Sequence, residues 1–223
     1  MKERLIRTVL AAGIVSVGVT AMSAWTAAQD KSTKPAVAAP SAKEESGPIV
    51  FEVDPVHSAA LFKIRHMEVS NFHGGFKMIK GTALIDPADL STAKFDVQVP
   101  ITSVDTKAQP LTEHLQSDEF FDAVKYPVMS FKSTGVKVKD KNTLEVTGDF
   151  SLHGVTKSIT VNMDVIAIKN TQFMGLRAGF ETVFSIKRSD YKMDYGVSSG
   201  AIGDEVEITV ALEMGKPEPE HQE

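Results

Sequence analysis

Apolar and polar residues alternate through most of the chain between positions 49 and 214, which limits the fold to one built from half-buried β-strands. Ala60, Phe62, Ile64 and His66 share one face, opposite Leu61, Lys63 and Arg65. Phe95, Val97, Val99 and Ile101 oppose Lys94, Asp96 and Gln98. Leu144, Val146, Gly148, Phe150 and Leu152 oppose Glu145, Thr147, Asp149 and Ser151. Ile159, Val161, Met163 and Val165 follow, then Ala178, Phe180, Thr182, Phe184 and Ile186. Val206, Ile208, Val210, Leu212 and Met214 close the series. Weaker strands are expected at 49–53, 76–85 and 128–138. Turns are expected at Gly74-Gly75, Asp86-Pro87, Asp140-Lys141-Asn142 and His153-Gly154. About eight strands, each with one apolar face, suit an antiparallel barrel or sandwich, and a barrel leaves no exposed edge. One segment departs from this period. Leu111, His114 and Leu115 follow helical spacing after Pro110, a residue suited to a helix start. This predicts a short helix that plugs or lids one barrel end.

All 12 phenylalanines fall between Phe51 and Phe184, against three Tyr and one Trp in the whole chain. Phe has no polar handle to satisfy, so this imbalance suits an apolar interior. An eight-stranded barrel is just wide enough to be filled by side chains or to hold one ligand. Composition leaves both open. A long apolar ligand needs few polar anchors. Each buried CH₂ contributes about 0.8 kcal/mol, so a five-carbon isoprene unit contributes roughly 3–4 kcal/mol before ordering costs.

The ends of the chain read differently. Lys2, Arg4 and Arg7 precede an uncharged stretch from Thr8 to Gln29, and small residues at Thr26 and Ala28 suit cleavage before Gln29. Residues 1–28 are therefore expected to be a signal peptide, 29–48 a flexible linker, 49–214 one folded domain and 215–223 a polar tail. Cleavage implies a periplasmic or secreted product without stable membrane insertion. The chain has no Cys, hence no disulfide and no thiolate nucleophile or ligand. Its formal net charge of −5 argues against nucleic acid as a partner.

Catalytic signatures are sparse. Six histidines, His57, His66, His73, His114, His153 and His221, show no H-x-x-x-H spacing, and no metal site or cofactor is expected. Ser58 follows His57, but there is no G-x-S-x-G elbow and no phosphate-binding Gly loop. Arg65 and Arg177 read as surface arginines. Arg188-Ser189-Asp190-Tyr191 suits either an Arg–Asp cap over a barrel mouth or a simple turn.

Four blocks of sequence carry a family resemblance. Asp54-Pro55-Val56-His57-Ser58 and Phe62-Lys63-Ile64-Arg65-His66 form the first. Glu113 to Asp122 (E-H-L-Q-S-D-E-F-F-D), with Tyr126-Pro127 and Phe131, is the second. Val146 to Lys157 (V-T-G-D-F-S-L-H-G-V-T-K) is the third, and Ile186-Lys187-Arg188-Ser189-Asp190-Tyr191 the fourth. Together, and in this order, they resemble the YceI-like proteins. In that family the aromatic residue of the last block is commonly followed by Gly, whereas here Lys192-Met193-Asp194 intervenes before Tyr195-Gly196. The resemblance implies a single lipocalin-like antiparallel β-barrel, exported in bacteria, that binds polyisoprenoid chains such as isoprenoid quinone tails, or other long-chain lipids, without catalysis.

The expectation is thus an exported carrier. Its candidate lining residues are Phe62, Ile64, Phe95, Val97, Phe131, Phe150, Phe180 and Phe184, with Phe72, Phe76, Phe120 and Phe121 at the mouth or lid. Two rivals stand beside it: a lipid-modifying enzyme using His57, His66 or His114 as acid or base, and an interaction module with a solid barrel.

Overall fold

The computed structural model describes residues 47–217. The expected leader (1–28), most of the linker and the end of the tail lie outside the described residues. The described chain forms strands β1 (Ile49–Val53), β2 (Ala59–His66), β3 (Ser70–Phe76), β4 (Lys80–Ile85), β5 (Lys94–Pro100) and β6 (Val104–Asp105). Helix α1 (Gln109–Gln116) follows. Then come β7 (Val128–Val138), β8 (Thr143–Leu152), β9 (Val155–Thr171), β10 (Gly175–Lys187) and β11 (Ile202–Gly215). All are joined antiparallel in one sheet.

Three long strands are each broken once, at adjoining positions. β1 runs into β2 through 54–58, β3 into β4 through 77–79, and β5 into β6 through 101–103. The breaks are stitched to their neighbours: the Asp54 N–H donates to Glu213 O, and the Lys77 N–H to Ser103 O, both at 2.8 Å. Counting each broken pair as one strand gives a closed barrel of eight antiparallel strands with one helix. Each strand lies beside its neighbours in sequence, and β11 closes the ring by pairing with both β1 and β2. Of the barrel and the sandwich that alternation allowed, the barrel forms, and it is the lipocalin-like one that the resemblance implied.

Two sequence expectations need correction. The strand expected at 76–85 takes in only the last residue of β3 and then β4, separated by a break that turns Ile79 into the core at 1% exposure. Gly74-Gly75 is not a turn but the interior of β3. Gly74 pairs with Phe62, and a methyl group at Gly74 would collide with the Phe62 ring lying over it. Gly148 in β8 is covered by the Phe131 ring in the same way. A glycine under an aromatic ring reads as a turn signal in sequence because both uses exploit the missing Cβ. The real turn of this hairpin is Met67-Glu68-Val69, with φ of 50° and 57° at the first two.

The inner faces are those that alternation assigns, but they are buried to different degrees. We call the end carrying β1 and β4 the lower end. There Phe51, Ile85, Val146, Ala178 and Met214 are completely shielded, and Leu144 is 1% exposed. Towards the upper end, Phe62, Phe72, Phe76, Phe131, Phe184 and Val206 point inward yet remain only partly buried. Beyond Gly75, β3 has no strand on its outer side, since β6 reaches only Gly75 and Phe76. Helix α1 and the turn after it cover that side. Val104, Leu115 and Phe120 form a second small core there, against Phe62, Phe76, Leu111, Phe121 and Ile202. No helix among the described residues is long and apolar enough to cross a membrane.

Candidate functional site

The incomplete burial has a direct cause: the upper half of the barrel encloses a cavity of about 560 Å³. Its floor is made by Ile79, Phe95, Met163 and Leu212. β1 and β4 contribute nothing to its wall, and neither do the lower ends of β8 and β10. On one side Phe62 packs against Phe72 and Phe76, with ring centroids 6.3 and 6.1 Å apart, and Phe76 meets Phe121 edge-on at 5.8 Å. Opposite, Phe150 contacts Phe184 at 6.0 Å and Tyr191 at 5.5 Å. These offset and edge contacts hold the rings upright as a wall. The volume lies within the roughly 300–1,000 Å³ typical of small-molecule sites.

Of the twelve sequence candidates, eleven line this cavity: Phe62, Ile64, Phe72, Phe76, Phe95, Val97, Phe120, Phe121, Phe131, Phe150 and Phe184. Phe180 does not. At 2% exposure it lies beneath the floor, edge-on to Phe95 at 5.2 Å. Alternation put it on the right face but carries no information about height along the barrel. α1 lends Leu111, His114 and Leu115 to the wall, so it encloses the cavity instead of plugging it. A barrel filled by its own side chains is therefore not what forms. The aliphatic wall residues Ile159, Val161, Ile208 and Val210 lie on faces already flagged by alternation, whereas Met193, Tyr195 and Ile202 come from the segment after β10, for which the period gave no signal.

Polar side chains in the wall gather towards the upper end: His66, Ser70, Asn71, His114, Ser130, Tyr195 and Arg188. Deeper down, Thr182 spends its hydroxyl on the Asn162 carbonyl at 2.7 Å. His114 Nε2 lies 2.6 Å from Glu119 Oε2, and its ring is edge-on to Phe120 and Tyr195. The Arg188–Asp190 cap suggested by sequence does not form. Asp190 pairs with Lys157 at 3.1 Å. Arg188 is 3% exposed and donates to four backbone carbonyls: Nε to Gly203 at 2.8 Å, Nη1 to Met193 at 2.9 Å, and Nη2 to Tyr195 at 2.7 Å and Ile202 at 3.1 Å. It thereby ties the 192–203 segment to the barrel top. Burial lowers its pKa, against the opposing fields of Asp204 and Asp194.

Of the three histidines of the enzymatic alternative, His66 and His114 both line the upper end of the cavity, whereas His57 lies apart from it. His57 is on the outer side of the β1–β2 break, with Nδ1 3.0 Å from Asp54 Oδ2. Its neighbour Ser58 bonds the Glu213 backbone twice, donating to the carbonyl at 3.2 Å and accepting from the amide at 3.0 Å. Among the described residues, Asp54, His57 and Glu213 are the one group of three convergent metal-ligating side chains. Arg177 already sits 3.3 Å from Asp54 and 4.0 Å from Glu213, so this cluster is charge-compensated by the protein itself. Arg177 is thus a paired arginine, one of the two ordinary roles of an Arg on a polar strand face. Hydrogen bonding from His57, then from the Val56 and His57 amides, holds the Asp54 carboxyl below its ordinary pKa despite some burial, and Asp54 raises that of His57.

This geometry can be set beside known proteins. The YceI-like domain family model matches residues 51–214. Protein YceI of Escherichia coli O157:H7 is 37% identical over 159 residues, covering 70% of this chain and 81% of that protein. The UPF0312 protein VPA0850 of Vibrio parahaemolyticus is 33% identical over 159 residues, covering 71% and 84%. Among solved structures, the Campylobacter jejuni YceI protein matches with a TM-score of 0.63 and 32% identity over 70% of this chain and 91% of that one. A domain from Saccharophagus degradans, described as polyisoprenoid binding, shares the fold with a TM-score of 0.61 at 18% identity, covering 75% and 98%. With the family model spanning residues 51–214 and a relative 37% identical over 81% of its own length, the chain belongs to the YceI-like family.

Proposed function

We propose that this protein is an exported carrier that holds a polyisoprenoid, or a similarly long apolar chain, in the upper cavity. The observation that carries this reading is the cavity itself: about 560 Å³ of space walled by phenylalanine and aliphatic side chains inside a closed barrel. Left filled with water, such a wall sacrifices the burial that the lower half achieves. A chain of isoprene units would recover it at roughly 3–4 kcal/mol per unit before ordering costs. The eleven wall residues named above are the proposed contacts. The description of the Saccharophagus degradans domain as polyisoprenoid binding supports the same ligand class. The positive, then uncharged leader supports export to the periplasm. No reacting constellation is needed for this role, and the reading is of a binder, not a catalyst.

The test is organic extraction and mass spectrometry of the mature protein, purified from the periplasm without detergent. A stoichiometric isoprenoid or long-chain lipid is the expected result. A clean extract, still clean after the purified protein is offered a quinone and a polyprenol, overturns the reading.

A further inference from the structure

The cavity wall contains one charge that the carrier reading leaves unused. Arg188 is 3% exposed, and no carboxylate among the described residues lies within ion-pair distance of it. Asp204, a nearby acid, is engaged by the Ser189 amide at 2.9 Å and hydroxyl at 2.8 Å. A guanidinium has five N–H groups and remains a cation in proteins. Its contacts with Gly203, Met193, Tyr195 and Ile202 use one donor on Nε, two on Nη2 and one on Nη1. One N–H on Nη1 remains, together with the whole positive charge. Burying a cation whose acids, Asp204 and Asp194, act only from beyond ion-pair distance is costly, and a purely structural staple across four carbonyls does not require it. Apart from Thr182, whose hydroxyl is engaged by the Asn162 carbonyl, the other polar wall groups gather at this same upper end, while the floor is apolar.

We propose that Arg188 selects the head group of the bound lipid, and that the ligand is an amphiphile whose head carries an anionic oxygen, a carboxylate or a phosphate. The apolar chain lies over the Phe95 and Leu212 floor, and the anion meets the guanidinium at the upper end. A charge-assisted hydrogen bond in a site largely free of water is stronger than a neutral one, and it supplies the missing counter-ion. The inference rests on the carrier reading and adds to it the chemistry of the head.

Four probes with one chain separate the two claims: farnesoic acid, farnesyl monophosphate, farnesol and methyl farnesoate, titrated into the mature protein at pH 8. The expected result is that acid and phosphate bind tighter than alcohol and ester by about tenfold or more. A comparison of acid with phosphate then says which anion fits. Equal binding of all four overturns the head-group proposal and leaves the carrier reading standing. Binding of none overturns both. Arg188→Gln should abolish the preference and Arg188→Lys should keep part of it. A preference lost instead in His66→Gln or His114→Gln, wall residues at the same end, moves the anion site away from Arg188 and overturns the assignment. Should Arg188→Gln fail to fold, the wild-type series and the two histidine variants still decide.

Discussion

The lower and upper halves of this barrel use the same eight strands and the same alternation, yet one half is packed and the other is hollow. In the lower half Phe51, Ile85, Val146, Ala178 and Met214 leave no surface exposed. In the upper half Phe72, Phe131, Phe184 and Val206 face inward and stay partly exposed around a cavity. Residue type does not explain this, since phenylalanine serves both. The difference lies in the backbone. Below the breaks at 54–58 and 77–79, β1 and β4 close the ring strand against strand. Above them, β3 loses its outer neighbour after Gly75, and a short helix completes the wall. A helix is thicker than a strand and holds its side chains differently, so the ring is wider where it substitutes for one. A barrel can thus separate stability from binding along its own axis.

The strongest way to break this comparison is to put a charge on each side of the cavity floor. Phe180 and Phe184 are four residues apart on the same face of β10. Phe180→Asp buries a carboxylate in the packed half, and no folded protein is expected. Phe184→Asp places it in the hollow half, where water can reach it. That variant should fold, with a normal circular dichroism spectrum, and lose affinity for an apolar chain by at least about tenfold. Two folded proteins, or two unfolded ones, would mean that the halves are not distinct.

Truncation gives a graded version. Phe51→Ala should cost about 3–5 kcal/mol in urea unfolding, because a fully enclosed ring leaves a cavity behind. Phe72→Ala, at the mouth, should cost about 1 kcal/mol or less, because its surroundings are already open. Saturating ligand should reverse the order of importance: it stabilises Phe51→Ala as much as the parent, and Phe72→Ala less.

A smaller effect concerns the seam between the halves. Asp54 holds the β1–β2 break through the Val56 and His57 amides, the His57 ring and Arg177. Its folded pKa is lowered, so its stabilisation is complete above the unfolded carboxylate value and is lost as pH falls through the folded one. His57 has a raised pKa, so its share is complete below the unfolded imidazole value and is lost as pH rises through the folded one. The pair is fully formed between these limits, at about pH 4–6.5. Asp54→Asn should lower the melting temperature most inside that window and flatten its decline on both sides. A uniform loss across pH would show that the break is held by packing alone.

How much of this was legible in the sequence follows from what alternation can report. It assigns faces, and the inner face was read correctly in β2, β5, β8, β10 and β11. It does not report height, so Phe180 could not be told from Phe184. It does not distinguish a glycine in a turn from one beneath a ring, so Gly74-Gly75 obscured β3. Phe173, in the β9–β10 turn and 89% exposed, shows that phenylalanine content alone does not identify wall residues. Arg188 stood out as part of a motif, but its partners are carbonyls of a segment with no regular period. Backbone acceptors carry no side-chain signature, whereas an Asp two residues away does, so the motif suggested an Arg–Asp cap beside the simple turn that Arg188–Tyr191 forms.

The smallest predicted effect lies at the upper tip. The β2–β3 turn places Met67 and Glu68 in the left-handed region, with Val69 N–H closing onto His66 O at 3.0 Å. The loop has three residues, since His66 pairs with Ser70, and within it the 66–69 β-turn has positive φ at both central positions, a demand that Asn-Gly meets best. The β8–β9 turn meets half of that demand with His153-Gly154. Met67-Glu68 meets none of it, and each such residue costs on the order of 1 kcal/mol. Replacing the pair by Asn-Gly should therefore raise stability by about 1 kcal/mol, or the melting temperature by roughly 2–4 °C. If the tip is only a turn, affinity for a farnesyl chain will be unchanged in that variant. A fall in affinity together with the gain in stability would instead extend the hollow half to include Met67, whose side chain is 62% exposed just beyond His66 at the cavity's upper end.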